Sequence, residues 1–204
     1  MAYSKFVRVI QRRLLKGDIP EGYIFPLLEP LFMIETHMSF EERIKLFSLA
    51  ASLPINFVAC EVGSYLGAST CFLAAAASLK HGHVHAVDTW KNDAMPHEPV
   101  EDTWDRFAQN TDRFRLWITP HRGVAREVKD RVPCVDMLFI DGDHSYDGTL
   151  SDLTDFVPKL NTGGIVAMHD FDYDTVRAAA DEYFKNRQTE DLGQTDSLKS
   201  FRLL

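Results

Sequence analysis

Acidic and imidazole side chains follow two short apolar segments of this chain, and these residue types can perform two kinds of chemistry. Asp141 directly follows one apolar segment and His144 lies three residues further along, whereas His169 and Asp170 follow another apolar segment. Carboxylates are hard oxygen ligands that suit Mg²⁺ or Mn²⁺, and imidazole favours Mn²⁺, Fe²⁺ or Zn²⁺. Imidazole also titrates near neutral pH. The residues therefore suit metal binding or proton removal.

The second group of candidate residues surrounds a turn bounded by glycines, Glu61-Val-Gly-Ser-Tyr-Leu-Gly67. An apolar segment precedes the turn and a helical segment begins at Ala68, so backbone groups and a helix N-terminus face a small polar ligand. Twenty-one residues after Gly67, a second apolar segment ends in Asp88. An acid at the end of the second strand of a doubly wound sheet accepts hydrogen bonds from a ribose.

The residues inside the turn distinguish two classes of cofactor. A dinucleotide fingerprint has a middle glycine, because the pyrophosphate comes close to the backbone there. Here Ser64, Tyr65 and Leu66 fill that space, and the carboxylate of Glu61 would repel phosphate. A ligand that has no phosphate and a cationic amino-acid end fits better. That description suits S-adenosylmethionine.

Four segments, in this order, carry a family resemblance: the Glu61–Gly67 turn, Val87-Asp88-Thr89-Trp90, Phe139-Ile-Asp-Gly-Asp-His-Ser-Tyr146 and Gly163-Gly164-Ile-Val-Ala-Met-His-Asp170. Together they resemble the class I methyltransferases, specifically methyltransferase family 24, over about residues 40–204. Relatives in that group include macrolide-sugar and rhamnosyl O-methyltransferases and cephalosporin-hydroxylase-like proteins. The resemblance implies an S-adenosylmethionine-dependent O-methyltransferase that acts on a hydroxyl of a small molecule or sugar.

The resemblance also implies roles for the polar residues. His144 corresponds to the Lys or His that acts as general base in metal-dependent relatives; alternatively, it caps the following helix. Asp141 corresponds to a metal ligand, with helix capping as its alternative. His169 departs from the acidic pair or Asp-Asn of those relatives. It is either a metal ligand with Asp170, or its ring hydrogen-bonds a neighbouring loop and holds Asp170 in place.

Two further segments are expected to contact the adenine. Trp90 follows Asp88 closely and is predicted to stack on the base or to line its pocket, the alternative being a core tryptophan. In relatives a backbone turn at the position of Gly123 and Val124 lies beside the adenine. The predicted cofactor-binding residues are Glu61, Gly63, Ser64, Tyr65, Gly67, Ser69, Asp88, Thr89, Trp90, Gly123, Val124 and Asp141. The predicted catalytic residues are His144 and Asp141, and the predicted ligands for Mg, Mn or Fe are Asp141, His169 and Asp170.

Alternating strand and helix patterns must position these residues. Strands are predicted over residues 56–61, 83–88, 116–119, 135–141, 165–169 and 198–203, and helices over 68–80, 100–111, 125–130, 148–160 and 174–186. Ser39 and Glu42 form a capping box that opens a further helix. This alternation predicts an α/β fold with a doubly wound, mainly parallel sheet, and the resemblance makes it seven-stranded. Residues 1–38, with a helix over 2–16, are predicted to form an N-terminal extension of the methyltransferase domain, 39–204.

Composition excludes several classes of protein. The 204 residues carry a net charge of −8 without a basic run, so we expect no nucleic-acid partner. No apolar run is long enough to span a bilayer, so we expect no membrane association. Three cysteines without metal-ligand spacing are expected to be buried thiols in a reducing cytoplasm.

Two other functions remain open at this stage. One is a non-catalytic protein that binds S-adenosylmethionine or assists an assembly. The other is a dinucleotide-dependent oxidoreductase, which the missing middle glycine disfavours. A homo-oligomer is compatible with the sequence, and the acceptor molecule is left open.

Overall fold

The computed structural model describes residues 21–93 and 99–204, apart from the side chains of residues 21–23. The predicted helix over residues 2–16 lies outside this range. The described part of the extension forms helix α1 (Glu21–Leu28) and a 3₁₀ helix (Glu29–Met33). Phe32 packs edge to face against Phe72, with ring centroids 5.0 Å apart. The extension therefore contributes to the same core as the rest of the chain.

A single seven-stranded sheet organises the described chain. Its strands are β1 (Val58–Val62), β2 (His83–Asp88), β3 (Ile118–Arg122), β4 (Val135–Ile140), β5 (Leu160–Met168), β6 (Thr189–Thr195) and β7 (Leu198–Leu203). They lie in the order β3-β2-β1-β4-β5-β7-β6. The pairs from β3 to β5 are parallel, whereas β7 is antiparallel to both β5 and β6. This order confirms the predicted mainly parallel α/β fold.

Six more α-helices connect or flank the strands: α2 (Phe40–Ala51), α3 (Ala68–Lys80), α4 (Trp104–Thr111), α5 (Ala125–Val128), α6 (Tyr146–Phe156) and α7 (Asp174–Phe184). Short 3₁₀ helices follow three of them, at Asp112–Trp117, Lys129–Arg131 and Val157–Lys159. The predicted capping box at the start of α2 is present. Glu42 N–H donates to Ser39 Oγ, and Ser39 N–H donates to the Glu42 carboxylate.

Both faces of the sheet are buried, which explains why its central strands are almost continuously apolar. Along β4, Met137 and Phe139 join the core that α1–α4 cover, whereas Leu138 and Ile140 join the core that α5–α7 cover. Successive side chains of a strand point to opposite faces. The side chains of the central strands therefore fill the two cores, and the polar residues of interest are those at the carboxyl ends of the strands.

Three local expectations are corrected. Strand β3 begins at Ile118 rather than Leu116, because Leu116 belongs to a 3₁₀ helix, and it continues to Arg122. Its Pro120 is tolerated because β3 is an edge strand. Strand β6 was not predicted, since its mostly polar residues show no buried stripe. Cys134 is exposed instead of buried. No helix within residues 21–93 and 99–204 is long and apolar enough to cross a membrane.

Candidate active site

The turn between β1 and α3 passes closely over the end of β4. Gly63 has a φ of +89°, and a Cβ atom at this residue would lie only 2.0 Å from the carbonyl oxygen of Asp141. No side chain fits at that distance, so only glycine is compatible with the observed turn. Gly67 has a φ of +82° at the N-cap of α3. Both glycines thus have the positive φ angles that a tight turn at this place requires.

Asp88 ties this turn to the end of β2. One carboxylate oxygen accepts hydrogen bonds from the N–H groups of Ser64 at 2.7 Å and Tyr65 at 2.8 Å. The other oxygen accepts from the N–H of Trp90 at 2.6 Å. A carboxylate offers about four acceptor positions, so these three bonds leave capacity for a ligand hydroxyl. Asp88 therefore shapes the turn besides facing the cavity, a role that the sequence did not reveal.

Glu61 lies beneath the turn and is fully buried. Its Oε2 accepts hydrogen bonds from the hydroxyls of Ser64, at 2.8 Å, and Thr70. Its Oε1 has no partner among the residues that the structure describes. Burial raises the pKa of Glu61 to about 7. The carboxyl group thus supports the turn from below.

The turn and the neighbouring strand ends enclose a cavity of about 460 Å³. Residues 35–38 of the segment before α2 also line this cavity. The predicted cofactor-binding residues that line it are Gly63, Ser64, Tyr65, Ser69, Asp88, Thr89, Gly123, Val124 and Asp141. Glu61, Gly67 and Trp90 are not part of the lining that the described residues form. Most of the predicted residues are therefore brought together.

Trp90 belongs to the core, which corrects the prediction that it contacts adenine. Its side chain is fully buried. The ring packs against Trp104 and Phe107, with centroid distances of 4.8 Å and 4.6 Å. No face of the indole is left for a ligand to stack on. The alternative of a core tryptophan is the one that the structure supports.

Two acids and one histidine meet where β4 and β5 end. The Nε2 atom of His144 lies 3.2 Å from an Asp170 carboxylate oxygen and 3.6 Å from an Asp141 oxygen. One potential ligand atom from each of the three residues lies within 4.8 Å of the other two. Burial lowers the pKa of His144, but the hydrogen bond with Asp141 and the charges of both acids outweigh it and raise the pKa above its usual value. The cluster can hold either a proton or a cation.

His169 contacts both acids of this cluster from the wall of the same cavity. The side chain is buried, and its Nδ1 is 3.1 Å from Asp141 Oδ1 and 3.2 Å from Asp170 Oδ2. Burial would lower the pKa of His169, but the charge of Asp141 and the hydrogen bonds to three carboxylates raise it to about 12. His169 thus contacts both acids, and the three residues whose potential ligand atoms lie within 4.8 Å of one another are Asp141, His144 and Asp170, a set that differs from the expected one at one histidine.

Glu42 is the residue of this region that sequence reasoning missed. Its Oε2 lies 3.3 Å from His169 Nε2, and its Oε1 accepts from the N–H of Ser197 at 2.8 Å and its hydroxyl at 2.7 Å. Burial raises the pKa of Glu42, but the bonds with His169, Ser197 and Ser39 outweigh it and lower the pKa to about 2. The capping box already accounted for Glu42, so the sequence carried no signal of this second role.

Comparison with known proteins agrees with this geometry. Residues 60–171, more than half of the chain, match the sequence profile of methyltransferase family 24, described as a methyltransferase domain. The chain belongs to this family. Its methyltransferase domain is the one that the ordered motifs predicted.

Individual relatives of this family 24 methyltransferase are distant. It is 30% identical over 114 residues to the uncharacterized protein y4gI of Sinorhizobium fredii, covering 54% of this chain and only 12% of y4gI. The calicheamicin methyltransferase CalS11 superposes with a TM-score of 0.62 at 16% identity, covering 98% of this chain and 91% of CalS11. A Bacillus cereus O-methyltransferase in complex with SAH superposes with a TM-score of 0.62 at 14% identity, covering 100% of both chains. At these identities the two structures establish the shared fold.

Proposed function

We propose that this chain transfers a methyl group from S-adenosylmethionine to a hydroxyl of a small molecule or sugar. The observation that carries this proposal is that Asp141, His144 and Asp170 line the same cavity as the Gly63–Gly67 turn and Asp88. Methyl transfer requires the acceptor oxygen to lie close to the methyl carbon, in line with the breaking bond, and to lose its proton. One cavity that is lined by both a cofactor turn and a candidate proton acceptor supports the proposal.

Residues at the ends of three strands would each contact a different part of the cofactor. We assign the amino-acid end to the turn after β1, the ribose to Asp88 after β2, and the adenine to the backbone at Gly123 and Val124 after β3. Glu61 acts through the turn, because its side chain does not reach the cavity. A ligand with a positive sulfonium and ammonium also suits a cavity that several carboxylates line.

His144 is assigned as the group that removes the acceptor proton. Its Nε2 atom lies 3.2 Å from an Asp170 oxygen and 3.6 Å from an Asp141 oxygen, and the residue lines the cavity in which a hydroxyl would bind. The ring packs against Tyr173 with centroids 5.7 Å apart, and the carbonyl of His144 accepts a 2.7 Å bond from Thr175. These contacts hold the imidazole beside Asp141 and Asp170, whose charges stabilise the imidazolium once the proton arrives.

The test of this role is the His144→Ala variant with a panel of phenols, catechols and sugars and a labelled methyl donor. We expect turnover to fall by about 10²–10⁴-fold, while calorimetric affinity for S-adenosylhomocysteine stays within about threefold, since His144 is assigned to the acceptor. His81→Ala changes an exposed histidine at the end of α3 and serves as the matched control. If His144→Ala turns over within about threefold of the wild type, His144 is not the base.

A divalent cation is the second candidate for the same cluster. Asp141, His144 and Asp170 offer two carboxylates and one imidazole, a donor set that suits Mn²⁺ or Fe²⁺. When bound, such an ion would lower the pKa of the acceptor hydroxyl. His144 would then donate its lone pair to the ion and could not also act as base. Titration calorimetry with Mn²⁺ on chelator-treated protein tests binding directly, and full activity of the metal-free protein rules out a catalytic ion.

Thermal denaturation with added ligands separates the remaining functional classes. S-adenosylmethionine should raise the melting temperature and a nicotinamide dinucleotide should not, because only a ligand of the native state stabilises by mass action. Stabilisation without turnover on any acceptor would favour a non-catalytic binding protein. From the sequence we further propose that the methyltransferase domain begins at residue 39 and that the protein is cytoplasmic.

A further inference from the structure

A buried carboxylate without a partner faces the cavity from helix α6. Asp152 is only 8% exposed, and none of the described residues donates a hydrogen bond to its carboxylate. The nearby Arg126 directs its donors elsewhere, to Ser151 Oγ at 2.9 Å and to an Asp155 oxygen at 3.3 Å. The carboxylate oxygens are therefore open to a donor that enters the cavity. A ligand that supplies a donor would complete this site.

The cavity gives direct access to this carboxylate. Asp152 is part of the cavity lining. A Cβ atom on Gly142 would lie 3.0 Å from Asp152 Oδ2 and 3.5 Å from a methyl group of Val62. Any side chain at residue 142 would therefore crowd the space next to the Asp152 carboxylate. The glycine after Asp141 keeps this approach open.

The Asp152 carboxylate lies near Gly142 and Val62, at the ends of β4 and β1, which is the side of β4 that faces β3. Its neighbours on α6, Ser151 and Asp155, contact Arg126 of α5, the helix that directly follows β3. Asp170 instead follows β5, at the other side of the parallel part of the sheet. A cofactor whose methyl group lies at the reactive cluster and whose ribose lies at Asp88 extends its base towards β3.

We propose that Asp152 accepts a hydrogen bond from the exocyclic amino group of adenine and so selects a 6-aminopurine cofactor. This inference rests on the proposed function, because it requires S-adenosylmethionine in the cavity. The amino group is the donor at the far end of an adenine base, and it carries no charge, so it suits a carboxylate remote from the sulfonium. The backbone at Gly123 and Val124 would flank the ring of the same base.

The protonation state of Asp152 is compatible with this role. Burial, together with the charges of Asp143 and Asp155, raises the pKa of Asp152 to about 7. The ionised group accepts a hydrogen bond from the amino group. The protonated group can accept from the amino group and donate to the adjacent ring nitrogen N1. The amino group therefore finds an acceptor in either state.

The test compares two ligands by calorimetry: S-adenosylhomocysteine and its analogue in which unsubstituted purine replaces adenine. The wild type should bind the purine analogue about ten- to a hundredfold more weakly, the range expected for a hydrogen bond to a charged group. In Asp152→Ala the two ligands should bind within about threefold of each other. Asp152→Asn keeps a carbonyl acceptor and should retain most of the discrimination.

Asp155→Asn is the matched control, because it makes the same change of charge on the same helix at a residue outside the cavity lining. It should leave the discrimination as in the wild type. Asp152→Ala removes a buried unpaired carboxylate, so its melting temperature should not fall. Equal binding of both ligands by the wild type, or undiminished discrimination in Asp152→Ala, overturns the inference alone. A wild type that binds neither ligand refutes the proposed cofactor, and the inference with it.

Discussion

Glu61 makes the stability of the ligand-free protein depend on pH. Its carboxyl group is fully buried, and burial raises its pKa from 4.5 to about 7. Between these two values the folded protein binds a proton that the unfolded chain has released. Folding is therefore favoured by protons in this window, and stability falls as the pH rises through it. The loss is complete above about pH 7.

The shift in the pKa of Glu61 from 4.5 to about 7 sets the size of this loss of stability. One pKa unit corresponds to about 1.4 kcal/mol, so ionisation of Glu61 in the folded state costs about 3 kcal/mol. For a chain of this length, that corresponds to a change of about 6–12 °C in melting temperature. An effect of this size is readily measured by urea unfolding at a series of pH values.

The Glu61→Gln variant removes the titration and keeps an oxygen that can accept from Ser64 and Thr70. Its new NH₂ group has no partner, which lowers stability by the same amount at every pH. The informative quantity is therefore the change in the stability difference between variant and wild type. We expect this difference to move by about 3 kcal/mol in favour of Glu61→Gln from pH 4.5 to pH 8. Glu127→Gln, at an exposed residue, should show no such change.

Parallel stability curves for Glu61→Gln and the wild type would refute this reasoning. They would mean that the carboxyl group keeps an ordinary pKa, with water or a bound ion compensating the burial. A difference that moved in the opposite direction would show that the ionised form is the better partner for the hydroxyls beneath the turn.

Three other substitutions test the geometry of the site. Asp88→Ala removes the acceptor of three backbone N–H groups and should weaken binding of S-adenosylhomocysteine at least about tenfold by calorimetry, which equal affinity would contradict. Gly63→Ala directs a Cβ atom into the carbonyl oxygen of Asp141 and should abolish ligand-induced stabilisation in thermal melts, so a normal thermal shift would show that the turn can relax. Glu42→Gln weakens the pair with His169 and should lower the free energy of unfolding by about 1–3 kcal/mol in urea, whereas an unchanged midpoint would show that water replaces the carboxylate.

The fold was predictable where the pattern of apolar residues in the sequence matches the burial of those residues in the structure. Strand β2 and helix α3 have the predicted bounds, because a buried parallel strand and a buried helix both show continuous apolar runs between polar or glycine residues. Strand β6 gave no such signal, since an edge strand pairs through its backbone whatever its side chains are. The start of β3 was misplaced because an exposed leucine resembles a strand residue in the sequence.

The site was predictable to the extent that it follows strand ends. Asp88 and Asp141 end predicted strands and Asp170 directly follows one, and parallel strands bring their carboxyl ends to one edge. Trp90 also follows a strand end, but its ring turns into the core, because Trp104 and Phe107 form an aromatic surface there. A position in the sequence fixes where the backbone lies, and the side chain is then oriented by its packing partners.

The amino-acid sequence by itself determined the family and the glycine turn and predicted the class of cofactor and the edge of the sheet where chemistry would occur, because these depend on short-range patterns. Both histidines contact Asp141 and Asp170, and only the tertiary structure decided which of them is also held by a third carboxylate. That choice depends on Glu42, which lies 127 residues before His169 and reaches it across the end of the sheet. Buried charges are set by partners distant in the chain, and no local pattern records those partners.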